Sequence, residues 1–235
     1  MHPPVYSPVN SAIHPAIRPD YSPEQRAAWM KRHEEFRELA RRGGIDVVFF
    51  GDSLTDYWRD RGRASWDEHF APLKAANFGI SGDRTQQVLW RIERGELDGL
   101  HPKVVVLLIG TNNLTPGLGE NSLTPKNSPD ETTAGVAAIL QTMRRRLPEA
   151  RILLHAILPR DAPSQPIRRE VDETNAKLAR LADGNAVTFF DPSAQFLGAD
   201  GTISREIMPD LLHLNAHGYA QWAEALRWPV DALLH

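Results

Sequence analysis

A three-layer α/β sandwich, with one parallel five-stranded sheet between helices, is the architecture this sequence predicts. Two observations carry the prediction. Five short apolar, β-rich runs recur along the chain, and segments of helical period lie between them. Runs that are apolar throughout suit strands buried on both faces, which is the mark of a parallel sheet. Strands alternating with helices imply right-handed crossovers and an open doubly wound sheet. In such sheets ligands sit beyond the carboxyl ends of the strands. The polar clusters of this chain directly follow its strands.

Taken in order, residues 1–21 carry five prolines and no helical period, and read as an extended arm. A single domain is expected over 22–235. Ser22-Pro23-Glu24-Gln25 signals a helix start, with a capping Ser and Pro in the first turn; the helix runs to about Arg42 and stops at Gly43-Gly44. The five strands are expected at Asp46–Phe50, Ala75–Phe78, Val104–Ile109, Ile152–Ile157 and Val187–Phe190. Helical periodicity marks Thr85–Arg94, Thr132–Leu147, Ile167–Ala182 and Ala216–Leu226.

Composition narrows the function classes. A net charge of −3 argues against a nucleic-acid partner or a membrane surface, both of which favour a basic excess. No apolar run approaches membrane-spanning length. The start of the chain lacks the basic and apolar regions of a signal peptide, which leans toward cytoplasm and leaves a secreted or periplasmic protein open if the sequence is trimmed. Cys is absent, which excludes disulfides, a thiolate nucleophile and Cys-bound zinc.

Three polar clusters follow strands: Gly51-Asp52-Ser53, Gly79-Ile80-Ser81-Gly82-Asp83 and Gly110-Thr111-Asn112-Asn113. A fourth, Asp210-Leu211-Leu212-His213, lies near the end of the chain. Each alone is unremarkable, since Ser53 could cap a helix, Gly82 could serve a turn, and Asp210 could cap as well. Together they supply acyl transfer. A serine hydroxyl needs an imidazole to take its proton, and the imidazole needs a carboxylate to fix its tautomer. The developing oxyanion needs donors set in advance. The chain offers Ser53 as nucleophile, His213 as base and Asp210 as its orienter. Gly82 N–H, the Asn112 amide and Ser53 N–H are the oxyanion donors. No G-x-S-x-G elbow surrounds Ser53.

These four ordered blocks resemble those of the GDSL, or SGNH, hydrolase family. Longer stretches are similar to the catalytic-subunit esterases of the platelet-activating-factor acetylhydrolase type: Gly51–Trp58, Asn77–Asp83, Val88–Arg91, Gly110–Asn113 and Leu158–Arg160. The resemblance covers roughly residues 45–228. It implies a flavodoxin-like sheet, a catalytic set of Ser53, Gly82, Asn112 and His213, and Asp210 as the triad acid. It implies short-chain ester hydrolysis without a metal or other cofactor. An acetylated carbohydrate is one substrate it leaves open, a phospholipid-like or small metabolite ester another. Acyl transfer to a sugar and a silent binding domain are the alternatives, and a homodimer is compatible with the resemblance. Asp52 and Asn113 are expected to support the loops. Arg84 departs from the small hydroxyl residue the family pattern implies, and is expected either to pair with an acid or to border the substrate rim.

Other features have blander readings. His155 sits within a strand and reads as a packed residue, and His217 lacks a third partner for a metal. Trp58, Trp66, Trp90, Trp222 and Trp228 read as core residues, any one of which could floor an acyl or sugar site. Leu114–Asp130, rich in Pro, Gly, Asn and Ser, reads as a lid or as a surface excursion, and Asp161–Pro166 as a second loop on the same rim.

Overall fold

The computed structural model describes residues 10–117 and 124–235. Residues 1–9 of the arm and 118–123 of the Leu114–Asp130 segment lie outside the described residues. The chain order is α1 (Pro23–Arg42), β1 (Val47–Gly51), α2 (Ser53–Asp56), α3 (Arg63–His69), β2 (Ala75–Gly79), α4 (Thr85–Arg91), β3 (Val104–Leu108), α5 (Pro129–Arg146), β4 (Arg151–His155), α6 (Pro166–Leu178), β5 (Val187–Phe190) and α7 (Ala216–Leu234). All strand pairs are parallel, in the order β2-β1-β3-β4-β5. This is the flavodoxin-like order, with its switch point between β1 and β3.

The strands are apolar on both faces because both faces are covered. Val48, Phe50, Val105 and Leu107 face a cluster with Phe36 of α1, Val88 of α4 and Val136, Ile139 and Met143 of α5. Val47, Phe49, Val104 and Val106 face the opposite cluster, with Trp58, Phe70, Tyr219, Trp222 and Leu226. Two buried cores on one sheet explain why no strand alternates polar with apolar residues. Among the described residues, no helix is long and apolar enough to cross a membrane.

Helix ends follow local chemistry. Ser22 and Gln25 close a capping box on α1, and Gly43 ends it at φ +65°. Ser128 and Glu131 do the same for α5, so that helix starts three residues before the apolar period that signals it. The segment after α4 departs from the expected helix. Residues 92–96 form a π turn in which Gly95 takes φ +98°, a widening that seats Glu96 in the interior. Helix α7 continues through Pro229 to Leu234, beyond the expected end at Leu226. The short helices α2 and α3 carry too few residues for a periodic signal.

The arm from residue 10 is fastened to the body. Ala12 is fully buried, and its carbonyl accepts from Thr85 Oγ1. Ala16 N–H donates to Gln86 O, and Gln87 Nε2 donates to Ala16 O. Arg18, paired with Asp20, donates from Nη1 to Gly82 O at 2.9 Å. Asn113, Asn127 and Ser11 link the arm to the loop before α5.

Candidate active site

The site forms where β1, β2 and β3 end. Helix α2 has only four residues and cannot sustain itself. Its neighbours hold it. Asp52 caps its start, Oδ1 accepting from Leu54 N–H at 3.0 Å. Tyr219 OH donates to Leu54 O, and Asn77 Nδ2 donates to Thr55 O. Gly79 is required beside it, because a Cβ there would lie 2.3 Å from Asp56 N. Ser53 is thus presented at the switch point by a helix whose free carbonyls are satisfied from two other elements.

His213 lies opposite. Ser53 Oγ is 3.0 Å from His213 Nε2, and His213 Nδ1 is 2.7 Å from Asp210 Oδ2. Asp210 Oδ1 also accepts from the N–H groups of Leu212 and His213. Its slight burial acts to raise its pKa. The bonds from the His213 backbone, the imidazole and Leu212 outweigh that and hold the carboxyl down at about 2. As an ionised carboxylate Asp210 only accepts, so Nδ1 carries the proton and Nε2 is free to accept from Ser53.

The loop after β2 is a turn closed by Asp83 N–H on Ile80 O. Gly82 at φ +82° occupies the position that needs a left-handed residue. Asn112 Nδ2 donates to Asp83 O at 2.9 Å, which fixes the amide beside that turn, and its second N–H has no acceptor among the described residues. Asp83 is fully buried, and burial raises its pKa to about 7 against the opposing pull of Arg91 and Trp29. Arg91 Nε lies 2.9 Å from Asp83 Oδ2, Arg91 Nη1 donates to Glu96 Oε2, and Glu96 Oε1 meets His33 Nδ1 at 2.7 Å. The π turn therefore ties the Gly82 loop to α1 through buried charges.

A cavity of about 550 Å³ collects these groups. Ser53, Gly82, Asn112 and His213 line it, with Ile80, Ser81, Asp56, Tyr57, Arg59 and Leu212. The remaining wall comes from the arm and α1: Tyr21, Gln25, Ala28, Trp29 and Arg32. Their spacing places them along one face of the helix and its lead-in. Sequence reasoning did not assign this wall, although the 21, 25, 28/29, 32 spacing was visible.

The expected support residues take up distinct places. Asp52 is buried, its Oδ2 has no hydrogen-bond partner among the described residues, and burial raises its pKa to about 7 against the Leu54 N–H bond. Asn113 is buried, its Nδ2 lying 3.0 Å from Thr85 Oγ1, Gln86 Oε1 and Asn127 Oδ1, which share its two N–H donors. Arg84 is absent from the cavity wall. It donates to the carbonyls of Thr115 and Pro125 and so clamps the two ends of the following loop, rather than pairing directly with an acid. No described residue of 114–130 lines the cavity.

His155 is a packed residue, as expected: Trp222 Nε1 donates to its Nε2 at 2.8 Å, and burial lowers its pKa to about 4. His217 is exposed on α7. Of the tryptophans, Trp228 corrects the expectation of a core residue, being 63% exposed beside Arg227. The one in the cavity wall is Trp29, whose Nε1 donates to Asp83.

Residues 49–221 match the model of the GDSL-like lipase/acylhydrolase family. The chain is similar to platelet-activating factor acetylhydrolase IB subunit alpha1 of Pongo abelii, 39% identical over 199 residues, which cover 84% of this chain and 80% of that one. It is similar to subunit alpha2 of Homo sapiens at 36% identity, covering 88% and 85%. The fold is shared with an acetylxylan esterase from Geobacillus stearothermophilus, at TM-score 0.63 and 18% identity over 82% of this chain and 94% of the other. An α/β hydrolase from the Lake Arreo metagenome also shares it, at TM-score 0.64 and 20% identity, covering 81% and 97%. On the family match and the identity to curated relatives, with the fold in agreement, this chain belongs to the GDSL-like lipase/acylhydrolase family and is a carboxylic-ester hydrolase.

Proposed function

We propose that the chain hydrolyses short-chain, acetyl-sized esters through an acyl-serine intermediate on Ser53. The observation that carries this reading is the unbroken relay from Ser53 Oγ to His213 and on to Asp210, at 3.0 and 2.7 Å. His213 Nε2 takes the Ser53 proton as Oγ adds to the ester carbonyl, and Asp210 stabilises the imidazolium. The N–H groups of Ser53 and Gly82 and the free N–H of Asn112 hold the oxyanion. His213 returns the proton to the leaving alkoxide, then deprotonates water to release the acid and restore Ser53. Residues 22–235 act as the catalytic domain, and the arm braces the Gly82 turn through Arg18. The acetyl preference is supported by the names of the relatives, which are acetylhydrolase subunits. An acetylated carbohydrate is a candidate substrate, since an esterase of that kind shares the fold.

Hydrolysis of p-nitrophenyl esters of rising chain length tests the reading. The acetate should be the best of the series, and Ser53→Ala should abolish turnover. Equal inertness of wild type and variant would sink the esterase assignment. A screen of acetylated sugars, with and without acceptor sugars, separates hydrolysis from transfer.

A further inference from the structure

Apart from the relay, the charged groups in the cavity wall are two guanidiniums and one carboxylate: Arg32 from α1, Arg59 just after α2, and Asp56. The wall is thus cationic in a chain whose net charge is −3. Both arginines are held in place. Arg59 donates Nε to Asp56 Oδ1 at 2.7 Å and Nη2 to the same oxygen. Asp56 Oδ2 is already taken by the hydroxyl and N–H of Ser81. Arg32 lies over the ring of Phe36, with Cζ 4.4 Å from the centroid. Its bonded carboxylate among the described residues is Glu35, at 3.2 Å and 46% exposed. Pairs so exposed contribute little, and Arg32 lines the cavity. Burial first, and then the charge of Arg59, lower the pKa of Arg32, against the opposing pull of Glu35 and Asp56. Among the described residues, Arg32 Nη2 and Arg59 Nη1 have no hydrogen-bond acceptor.

Two neighbouring guanidiniums repel until an anion joins them, and their planar forks match carboxylate or phosphate oxygens. Because each is already fixed by a ring or a carboxylate, little freedom is lost when an anion arrives. We propose that Arg32 and Arg59 form an anion subsite beside Ser53, which selects esters carrying a carboxylate or phosphate group outside the acyl moiety. This rests on Ser53 being the nucleophile, since the subsite is a specificity element of that same cavity.

The test compares matched acetyl esters. One arm sets 4-acetoxybenzoate against 4-acetoxybenzamide, and another sets 2-acetoxyethyl phosphate against 2-acetoxyethanol, so that carboxylate and phosphate are judged separately. In at least one arm the anionic member should show about tenfold higher kcat/KM, the size of one charge-assisted hydrogen bond. That advantage should shrink with added salt. Arg32→Gln and Arg59→Gln should each reduce it, and the double variant should bring the ratio to about one. Calorimetric binding of the same pairs to Ser53→Ala protein gives a readout that needs no turnover. If no ester is turned over, the esterase reading fails, while the binding ratio still decides on the subsite. Equal kcat/KM and equal binding within both wild-type arms would overturn the subsite, whatever the variants do.

Discussion

Asn112 spends one amide N–H on Asp83 O, and the second has no acceptor among the described residues. Asn112→Ala should lower kcat for p-nitrophenyl acetate by about 10²–10³-fold, read by steady-state kinetics; an unchanged kcat would remove it from the oxyanion set. Gly82 has a separate requirement. At φ +82° an alanine is strained, and its Cβ would come 2.9 Å from Arg18 Nη1. Gly82→Ala should destabilise the protein by about 1 kcal/mol or more and reduce kcat. Full activity at unaltered denaturation midpoint would contradict this account of the turn. At this scale four short blocks pointed to Ser53, Gly82, Asn112, Asp210 and His213, and the structure sets Ser53, His213 and Asp210 in hydrogen-bond reach with Gly82 and Asn112 in the same cavity wall. Arg84 was not readable. Its partners are two backbone carbonyls, which carry no signature in side-chain identity.

Helix α1 is the element whose role extends furthest beyond its own signals. Its caps are local and could be read directly, yet its place in the cavity wall depends on packing against β2, α4 and the π turn. The family match begins at residue 49 and leaves α1 out. Trp29 stacks near His33 and Trp90 and donates to buried Asp83. Trp29→Ala should cost about 3–5 kcal/mol, as large-to-small core changes do, and leave one oxygen of Asp83 without a donor. Urea denaturation checks this, and a loss below about 1 kcal/mol would show that the wall is dispensable to the fold. In the loop after Asn112, Arg84 bonds both described ends, Thr115 O and Pro125 O. Arg84→Ala frees the carbonyls of Thr115 and Pro125, so limited proteolysis should cut within 114–128 sooner than in the parent; identical cleavage rates would refute the clamp. The five strands were legible because both faces of the sheet are buried. The π turn at 92–96 was not, because it answers to the interior ion pair of Arg91 and Glu96.

At the scale of the molecule, two buried carboxyls contribute to the pH dependence of stability. Asp52 and Asp83 have folded values of about 7 against an ordinary 3.8. A raised carboxyl means that the folded state holds a proton the unfolded chain has lost, so stability falls as pH rises from about 4 to 7. The slope is about 1.4 kcal/mol per pH unit for each proton held. Asp210, held down at about 2, acts in the opposite sense and withdraws support only as pH falls from about 4 toward 2. Asp52→Asn removes one of the two raised groups. Relative to wild type, the variant should therefore gain stability between pH 5 and pH 8, measured by urea denaturation at each pH. Parallel pH profiles would show that Asp52 holds no such proton. The core and the parallel sheet were legible at this scale because fully apolar runs encode them, whereas the flavodoxin-like strand order came from the family resemblance. These buried charges were not, since burial of a single carboxyl is decided by the closure of the whole fold.

The cavity wall from Tyr21 to Arg32 is one unbroken stretch of chain, placed ahead of the first strand, while the reactive groups come from separate strand ends. Inheritance can therefore act on them separately. Exposed positions of the wall can drift, or be recombined as a cassette, without displacing Ser53, Asn112 or His213. Trp29 is the anchor such an exchange must keep. An engineer seeking a new ester has a shuffling unit of about a dozen residues, whose library leaves the chemistry constant while the preference changes.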